Sequence, residues 1–360
     1  MQNKPIYVSK PALPPLEKYT SILKGAWESG ILTHNGPLVQ RLEKEIDSYH
    51  GINTSCLVTN GTIALHLALR ALDLVEGEII TTPFSWISSC GSIQWEGCRP
   101  VFIDVDPETF NIDPDKIEAA ITKNTRAILG VHVFSSPCDV ERIEAIAAKH
   151  KLNVIYDGAH AFGVKHKGRS IFSWGDISTT SLHATKLLNT GEGGVVFPSE
   201  VLKERIQSLR FFGIDSDKNI TSIGTNAKMT EIHAALGLSN LPNISNSISL
   251  RKSIYNIYFD TLCHKVSFQN FNPSSYNYSY MPILFHSEEE LLAVVDHLNL
   301  NNVFPRRYFY PSLNEVRAVQ QYTPCPISED LSRRILCMPS YDALPPKIVK
   351  WISDLVLEVL

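Results

Sequence analysis

Short apolar segments alternate with helical patterns between residues 55 and 157, and this alternation constrains the fold more than any other feature of the sequence. The predicted strands cover residues 55–59, 78–83, 100–105, 127–134 and 154–157. The predicted helices between them cover residues 63–72, 86–94 and 140–150. Parallel strands need long crossover connections, which helices usually supply. The chain is therefore predicted to have an α/β fold with a large, mainly parallel sheet covered by helices on both faces.

The two ends of the chain depart from this alternation. A proline-rich lead and two helical patterns precede it. From about residue 245, a long helix, an extended segment, a helix capped by Ser287 and a closing helix indicate a smaller α+β unit. We therefore predict a large domain over residues 1–245, which includes the helical lead, and a small C-terminal domain over residues 246–360.

The composition excludes several classes of protein. The 360 residues carry a formal net charge of -4 without a cluster of Lys and Arg among aromatics, so we expect no nucleic-acid partner. No apolar run approaches the length that crosses a bilayer or forms a signal peptide, so we expect a soluble, cytoplasmic protein with no membrane partner. The seven cysteines include no Cys-x-x-Cys pair, and we predict neither a disulfide framework nor a bound metal.

One lysine stands between a hydroxyl-rich strand and a glycine-rich turn. Lys186 lies within Ser-Leu-His-Ala-Thr-Lys-Leu-Leu-Asn-Thr-Gly-Glu-Gly-Gly, residues 181–194. Its apolar neighbours are expected to desolvate the ammonium and lower its pKa, and a neutral amine can then attack a carbonyl. The alternative is a lysine whose head extends to the surface.

A carboxylate ends the apolar strand upstream of this lysine. Asp157 follows Leu-Asn-Val-Ile-Tyr, and His160 comes shortly after it. Ligands of open α/β sheets bind where strands end. A carboxylate there, paired with a lysine that binds the cofactor, is what a pyridoxal phosphate site requires, because the acid keeps the pyridine nitrogen protonated. Alone, Asp157 would more often be a cap or loop residue.

Three segments together resemble the signature segments of one enzyme family. They cover residues 157–161, 181–194 and 224–235. They are similar to those of the sugar aminotransferases of the DegT, DnrJ, EryC and StrS group, which are fold-type I enzymes dependent on pyridoxal phosphate. The similarity extends from about residue 31 to the C-terminus.

This resemblance implies a two-stage transamination. L-glutamate would leave its amino group on pyridoxal 5'-phosphate, giving pyridoxamine 5'-phosphate, which would aminate the keto carbon of a nucleotide-linked keto-deoxy sugar. Lys186 would act as the base, and Asp157 would hold the charge of the ring. We favour dTDP-4-keto-6-deoxy-D-glucose, aminated at C4, as the substrate, and a role in O-antigen lipopolysaccharide or similar amino-sugar biosynthesis.

Further cofactor contacts are expected at two strand ends. Gly61 and Thr62 open a helix after a strand, so their amides offer a site for the cofactor phosphate, although such a turn is also an ordinary helix cap. Trp86 matches the aromatic residue that stacks on the pyridine ring in the resembling enzymes; the alternative is a core tryptophan. The resemblance also assigns His160 to the ring's phenolic oxygen and Ser181 to the phosphate.

The same resemblance predicts a homodimer with shared active sites. The asparagine that matches Asn226 crosses the dimer interface to the neighbouring subunit's phosphate in that family. Asn226 could equally be a turn residue. Lys228, two positions after Asn226, stands where the resemblance predicts an arginine. A lysine keeps the charge but lacks the bidentate guanidinium, so we assign Lys228 no role.

Substrate contacts are predicted at two places. The 306–311 segment sets two arginines among aromatic residues, a composition suited to a nucleotide diphosphate or base. From it we select Arg306, Tyr308 and Tyr310, with a solvated basic strand as the alternative. His183 and Asn189, close to the lysine, are expected to face the sugar.

Several other functions stay open at this stage. A C3 (3-keto sugar) aminotransferase shares all of these features. A pyridoxamine-dependent sugar dehydratase of the same fold has histidine at the lysine position, which Lys186 argues against. A regulatory relative without activity would not need the full residue set. A dehydrogenase is disfavoured because no glycine-rich dinucleotide fingerprint follows the first strand.

Overall fold

The computed structural model describes residues 4–319 and 322–360. Within this part of the chain, the α-helices are α1 (Leu16–Ser29), α2 (Pro37–His50), α3 (Gly61–Ala71), α4 (Ile87–Trp95), α5 (Pro114–Ala120), α6 (Val140–His150), α7 (Lys203–Arg210), α8 (Glu231–Asn240), α9 (Ile244–Leu262), α10 (Glu288–Leu300), α11 (Pro326–Arg334) and α12 (Pro346–Leu357). None of these helices combines the length and the apolar character that crossing a bilayer requires.

The strands are shorter than the helices, and several contain only two or three residues. In the described part of the chain they are β1 (Ile6–Tyr7), β2 (Cys56–Val58), β3 (Glu78–Thr81), β4 (Arg99–Phe102), β5 (Thr125–Val131), β6 (Asn153–Asp157), β7 (Lys165–His166), β8 (Arg169–Ser170), β9 (Ile177–Ser181), β10 (Gly194–Pro198), β11 (Pro282–Leu284), β12 (Val303–Phe304) and β13 (Ile335–Cys337).

Seven of these strands form the central sheet, in the order β2-β10-β9-β6-β5-β3-β4. The pairs from β9 through β6, β5 and β3 to β4 are parallel, which confirms the predicted mainly parallel α/β sheet. Only β10 runs against its neighbours β2 and β9. The carboxyl ends of β2, β9, β6, β5 and β3 therefore meet at one edge of the sheet, where ligands of such folds bind.

Helices cover both faces of this sheet, and side chains alternate between the two cores. In β6, Val154 and Tyr156 pack into one apolar cluster, whereas Ile155 packs into the other. The first cluster includes buried residues of α2, α6 and α8, and the second includes those of α3, α4 and α7. Burial on both faces explains why the strands are almost continuously apolar in sequence.

The C-terminal part has its own apolar core, formed by α9, α10 and α12 against β11 and β13. The N-terminal lead contributes β1 to a parallel pair with β12, and its assignment to the large domain stays a prediction. The domain boundary at residue 245 remains a prediction, and α9 begins at Ile244, next to it.

Candidate active site

A cavity of about 330 Å³ lies at the carboxyl edge of the central sheet. This volume is near the lower end of the range for small-molecule sites, about 300–1,000 Å³. Ten of the residues selected from the sequence line it: Gly61, Thr62, Trp86, Asp157, His160, Ser181, His183, Lys186, Arg306 and Tyr308. The turns after β2, β6 and β9 thus converge on one space, together with a segment of the C-terminal part.

Lys186 lies in the loop that follows β9. Its Nζ donates a hydrogen bond to the hydroxyl of Tyr280 at 2.9 Å. Desolvation by the surrounding protein lowers the pKa of Lys186 from its ordinary 10.5 to about 8, and the charges of Asp157 and Tyr308 only partly oppose this. The amine therefore loses its proton near pH 8 and not near 10.5, a shift in the direction that the apolar neighbours in the sequence predict.

Asp157 is the last residue of β6 and is 6% exposed. Its Oδ2 accepts a hydrogen bond from the Ser89 hydroxyl at 2.7 Å, and its Oδ1 accepts one from the Ala159 amide at 3.0 Å. Hydrogen bonds from two separate donors fix the orientation of a carboxylate. The two donors thus hold the buried carboxylate in place at the wall of the cavity.

The turn between β2 and α3 packs directly against the end of β9. The Asn60 side chain caps α3 by accepting a hydrogen bond from the Ile63 amide at 2.9 Å, so the capping interpretation holds for this residue. The amides of Gly61 and Thr62 precede the first intrahelical bond and remain available to an anion. A Cβ on Gly61 would lie 2.9 Å from the Cβ of Ser181, so only glycine allows this approach.

His160 is neutral in this environment. Burial, and to a lesser extent the charge of Lys186, lower its pKa well below the ordinary value. The Phe134 amide donates to Nδ1 at 3.2 Å, which places the ring proton on Nε2. The imidazole ring lies 4.3 Å from the ring of Tyr280, centroid to centroid.

Arg306 and two aromatic rings form one side of the cavity. The Arg306 guanidinium lies 5.1 Å from the ring centroid of Tyr308 and 5.9 Å from that of Trp86. Among the described residues the adjacent Arg307 pairs with Glu288, whereas no carboxylate pairs with Arg306, so the Arg306 charge is available to an anionic ligand. Trp86 is half-exposed, and the imidazole of His183 is also partly open to solvent.

Two predicted substrate residues lie outside this cavity. Asn189 is buried, and its side-chain amide donates to the Ala12 carbonyl at 2.9 Å, because the N-terminal segment runs alongside the lysine loop. Asn189 therefore does not line the cavity of this chain, and its contact with the sugar stays a prediction. Tyr310 is half-exposed and lies under the Arg307 guanidinium, 3.5 Å from the ring centroid, away from the cavity.

Asn226 also lies outside the cavity of its own chain. It is exposed, and its side-chain oxygen accepts a hydrogen bond from the Lys228 ammonium. Lys228 is buried against the rings of Phe211 and Phe212, with Nζ 4.8 Å and 4.4 Å from their centroids. Burial lowers the pKa of Lys228, with a smaller contribution from Arg210. The contact of Asn226 with a neighbouring subunit remains a prediction.

Two residues at the site were missed by sequence reasoning. Ser89 is separated from Asp157 by 68 positions, and Tyr280 from Lys186 by 94. Serine near the start of a helix and tyrosine in an aromatic-rich segment are common patterns, and neither points to a site by itself. Only the fold brings them to the reactive groups.

Comparison with known proteins places these features in context. The DegT/DnrJ/EryC1/StrS aminotransferase family matches residues 17–356. The chain is 40% identical to a dTDP-4-amino-4,6-dideoxy-D-glucose transaminase of Shigella dysenteriae, over 99% of this chain and 100% of that one. It is 34% identical to a GDP-perosamine synthase of Escherichia coli O157:H7, over 99% of both chains. A crystal structure of DesI in the presence of its TDP-sugar product superposes with a TM-score of 0.94 at 31% identity, covering 99% of this chain and 94% of that one.

Proposed function

Because the chain belongs to the DegT/DnrJ/EryC1/StrS aminotransferase family, we propose that it moves an amino group from glutamate to the keto carbon of a nucleotide-linked sugar. The chain is an aminotransferase with the fold of the fold-type I transferases. The proposed cofactor is pyridoxal 5'-phosphate, and the proposed substrate is dTDP-4-keto-6-deoxy-D-glucose, aminated at C4. One observation carries the proposal: the Lys186 amine and the buried Asp157 carboxylate open onto the same cavity.

The choice of sugar is supported by the relatives. A transaminase named for a dTDP-linked 4-amino-4,6-dideoxyglucose is 40% identical across essentially the whole of both chains. A second candidate is a GDP-linked substrate, which the 34% identity to a GDP-perosamine synthase favours. Both candidates share the chemistry at the keto carbon and differ in the base that the protein must bind.

The residues of the cavity fit pyridoxal phosphate. The close approach of Gly61 to Ser181 leaves two helix amides and a hydroxyl for a phosphate. Asp157, held by Ser89, supplies a carboxylate for a protonated pyridine nitrogen. Neutral His160, with its ring proton on Nε2, provides a hydrogen-bond donor for an oxygen on the ring.

The bound cofactor would supply a carbonyl that captures the donor amine and a ring that withdraws electrons from the adjacent carbon. Lys186, whose pKa is about 8, takes the proton from the α-carbon of glutamate and later returns a proton to the sugar carbon. The Asp157 carboxylate stabilises positive charge next to it throughout. Positioned acid-base catalysis of this kind contributes on the order of 10²- to 10⁴-fold to the rate.

The nucleotide end of the substrate is assigned to Arg306 and Tyr308, whereas Trp86 keeps its proposed place against the pyridine ring of the cofactor. A guanidinium without a carboxylate partner in the described residues attracts a diphosphate, and the Tyr308 ring offers a flat surface to a base or sugar. This assignment leaves Tyr310 without a role in the single chain.

We also propose a homodimer in which Asn226 serves the neighbouring active site. Large apolar side chains are exposed on three elements that pack together, α1, the segment after it and α8: Trp27, Ile31, Leu32 and Ile232. Exposed apolar patches of this kind are typical of subunit interfaces, and two-fold dimers are the commonest symmetric assembly.

An assay with a panel of keto sugars tests the reaction. The purified protein is incubated with glutamate and either dTDP-4-keto-6-deoxy-D-glucose, its GDP-linked counterpart or a 3-keto sugar, and the products are identified by NMR. We expect amination at C4 of the dTDP sugar. Amination only at C3 would contradict the position, and loss of water without amination would identify a dehydratase.

A visible absorption spectrum tests the cofactor and Lys186 separately from the substrate. The protein with pyridoxal phosphate is expected to be yellow, and the band is expected to change in Lys186→Ala, whose turnover should be close to zero. A Lys186→Ala protein with an unchanged band and rate would contradict the assignment. A protein that never binds the cofactor would favour a regulatory role.

Mixing two inactive variants tests the shared site. Subunits with Lys186→Ala and subunits with Asn226→Ala are each expected to have low activity. If Asn226 acts in the partner's site, half of the randomly mixed dimers are hybrids with one intact site, and about a quarter of wild-type activity returns. No recovery, in a sample shown to exchange subunits, would contradict the shared site.

A further inference from the structure

Tyr280 contacts the reactive nitrogen of the site from a distant part of the chain. Its hydroxyl accepts the hydrogen bond from Lys186 Nζ at 2.9 Å, and Nζ lies 5.5 Å from the centroid of its ring. Tyr280 lies in the segment before β11, whereas Lys186 lies in the loop after β9. The lysine amine is therefore held between the central sheet and the C-terminal part.

The segment that carries Tyr280 is attached to the loop after Asp157. The side-chain amide of Asn277, which is buried, donates to the carbonyls of His160 at 2.8 Å and Phe162 at 2.9 Å. The Ser279 hydroxyl adds a hydrogen bond to the same His160 carbonyl at 3.2 Å. These bonds fix Tyr280 relative to the residues that line the cofactor side of the cavity.

The phenol of Tyr280 is expected to stay protonated during turnover. Burial raises its pKa well above the ordinary value, and the smaller effects of neighbouring charges do not reverse this. A neutral hydroxyl can accept a hydrogen bond from the ammonium form of Lys186 and donate one to the amine form. It can therefore remain bonded to Nζ while the lysine gains and loses a proton.

We propose that Tyr280 is a further positioning residue, whose hydroxyl holds Lys186 Nζ in the position from which it transfers the substrate proton. This inference rests on the proposed function, since it assigns a partner to the same base. Tyr280 itself gains and loses no proton in the overall reaction. Its effect is on the orientation of the amine at the moment of transfer, which is where proximity and alignment lower a barrier.

Tyr280→Phe removes only the hydroxyl and keeps the ring packed against His160. Loss of a hydrogen bond to a charged group is expected to lower kcat about tenfold to a hundredfold. The KM for the sugar should stay within about twofold, because ground-state binding is unchanged. With glutamate deuterated at the α-carbon, the isotope effect on kcat should rise, since proton transfer becomes slower relative to the other steps.

Tyr278→Phe is the matched control. Tyr278 lies on the same segment and is buried, but it does not line the cavity, so its kinetics and isotope effect should match wild type. A readout without turnover is the pH at which the visible band of the cofactor-loaded protein changes. That midpoint should move by about half a pH unit or more in Tyr280→Phe and stay constant in Tyr278→Phe.

Equal kcat, isotope effect and spectral midpoint in wild type and Tyr280→Phe would overturn the inference. A rise in KM alone would also overturn it, because it would show a contact with substrate in place of an effect on Lys186. If Tyr280→Phe melts early, Asn277→Ala, which loosens the same segment, is expected to raise the isotope effect instead. Wild-type protein that fails to transaminate glutamate would contradict the proposed function, whatever the spectra of the variants show.

Discussion

Replacing Gly61 with alanine tests whether the turn after β2 holds the cofactor phosphate. The new Cβ would lie 2.9 Å from Ser181 Cβ and 3.2 Å from Ser181 Cα. Ser181 cannot move away easily, because it ends β9 and pairs with Gly194 of β10. We therefore expect the first turn of α3 to shift outward, which carries the amides of Gly61 and Thr62 away from Ser181.

The size of the effect follows from the cost of overpacking. An extra methyl group in a well-packed site typically costs about 1–3 kcal/mol. Without cofactor, the outward shift relieves most of this strain. With cofactor, the amides must return to reach the phosphate, so the strain reappears as lost binding energy. At about 1.4 kcal/mol for each factor of ten, affinity should fall roughly fivefold to 150-fold.

In the assay, cofactor-free protein is titrated with pyridoxal phosphate, and binding is monitored by visible absorption. Thermal melting is measured for the protein with and without the cofactor. Gly91→Ala is the control: Gly91 lies in α4, and its Cβ would meet nothing within 4 Å. This control should bind normally and gain up to about 1 kcal/mol of stability from the helix preference of alanine. Wild-type affinity in Gly61→Ala would refute the phosphate assignment.

Three further results are expected. Ser89→Ala removes one of the two hydrogen-bond donors to the buried Asp157 carboxylate, which costs about 1–3 kcal/mol. This variant should therefore have a cofactor affinity or a kcat that is lower by about tenfold or more. An unchanged affinity and kcat would show that the Ala159 amide alone is sufficient to hold the carboxylate. In cofactor-free protein, acylation of Lys186 mapped by mass spectrometry should have a midpoint near pH 8, with about a tenth of the amine neutral at pH 7. An acylation midpoint above pH 10 would refute the desolvation of Lys186. Because this pKa is lowered on folding, the charged amine destabilises the folded state at pH values below about 8, and this penalty disappears as the pH rises toward 10.5. Asn189→Ala frees the Ala12 carbonyl and should lower the free energy of unfolding in urea by about 1–3 kcal/mol. A selective rise in the KM for the sugar, with unchanged stability, would instead support the predicted contact of Asn189 with the substrate.

Local patterns in the sequence predicted most elements of the fold. The Ser287 hydroxyl accepts a hydrogen bond from the Glu290 amide at 3.1 Å, which confirms the predicted cap of α10. Gly51 ends α2 in a left-handed conformation, which a glycine adopts without steric cost. Caps, turns and apolar periodicity involve residues a few positions apart, so the chain alone determines them.

The direction and partners of the strands depend on longer distances. The sequence indicated a mainly parallel sheet, but it did not show that β10 runs against β2 and β9. Nor did it show that β1 pairs with β12. A short strand has the same local pattern whichever partner it takes, and the packing of the whole sheet selects among them.

The residues of the candidate site likewise fall into two groups, those that local sequence patterns indicate and those that only the fold brings to the site. Asp157, Lys186 and the turn at Gly61 were evident in sequence, because each sits where an apolar strand ends and a turn begins. Asn189 lies close to Lys186 in sequence, yet the N-terminal segment takes its side chain. Ser89 and Tyr280 meet their partners across 68 and 94 positions, and a local pattern carries no information about such distances. The sequence thus determined which groups can react, and only the tertiary structure decided which side chains hold them, because that depends on how separate elements pack in space.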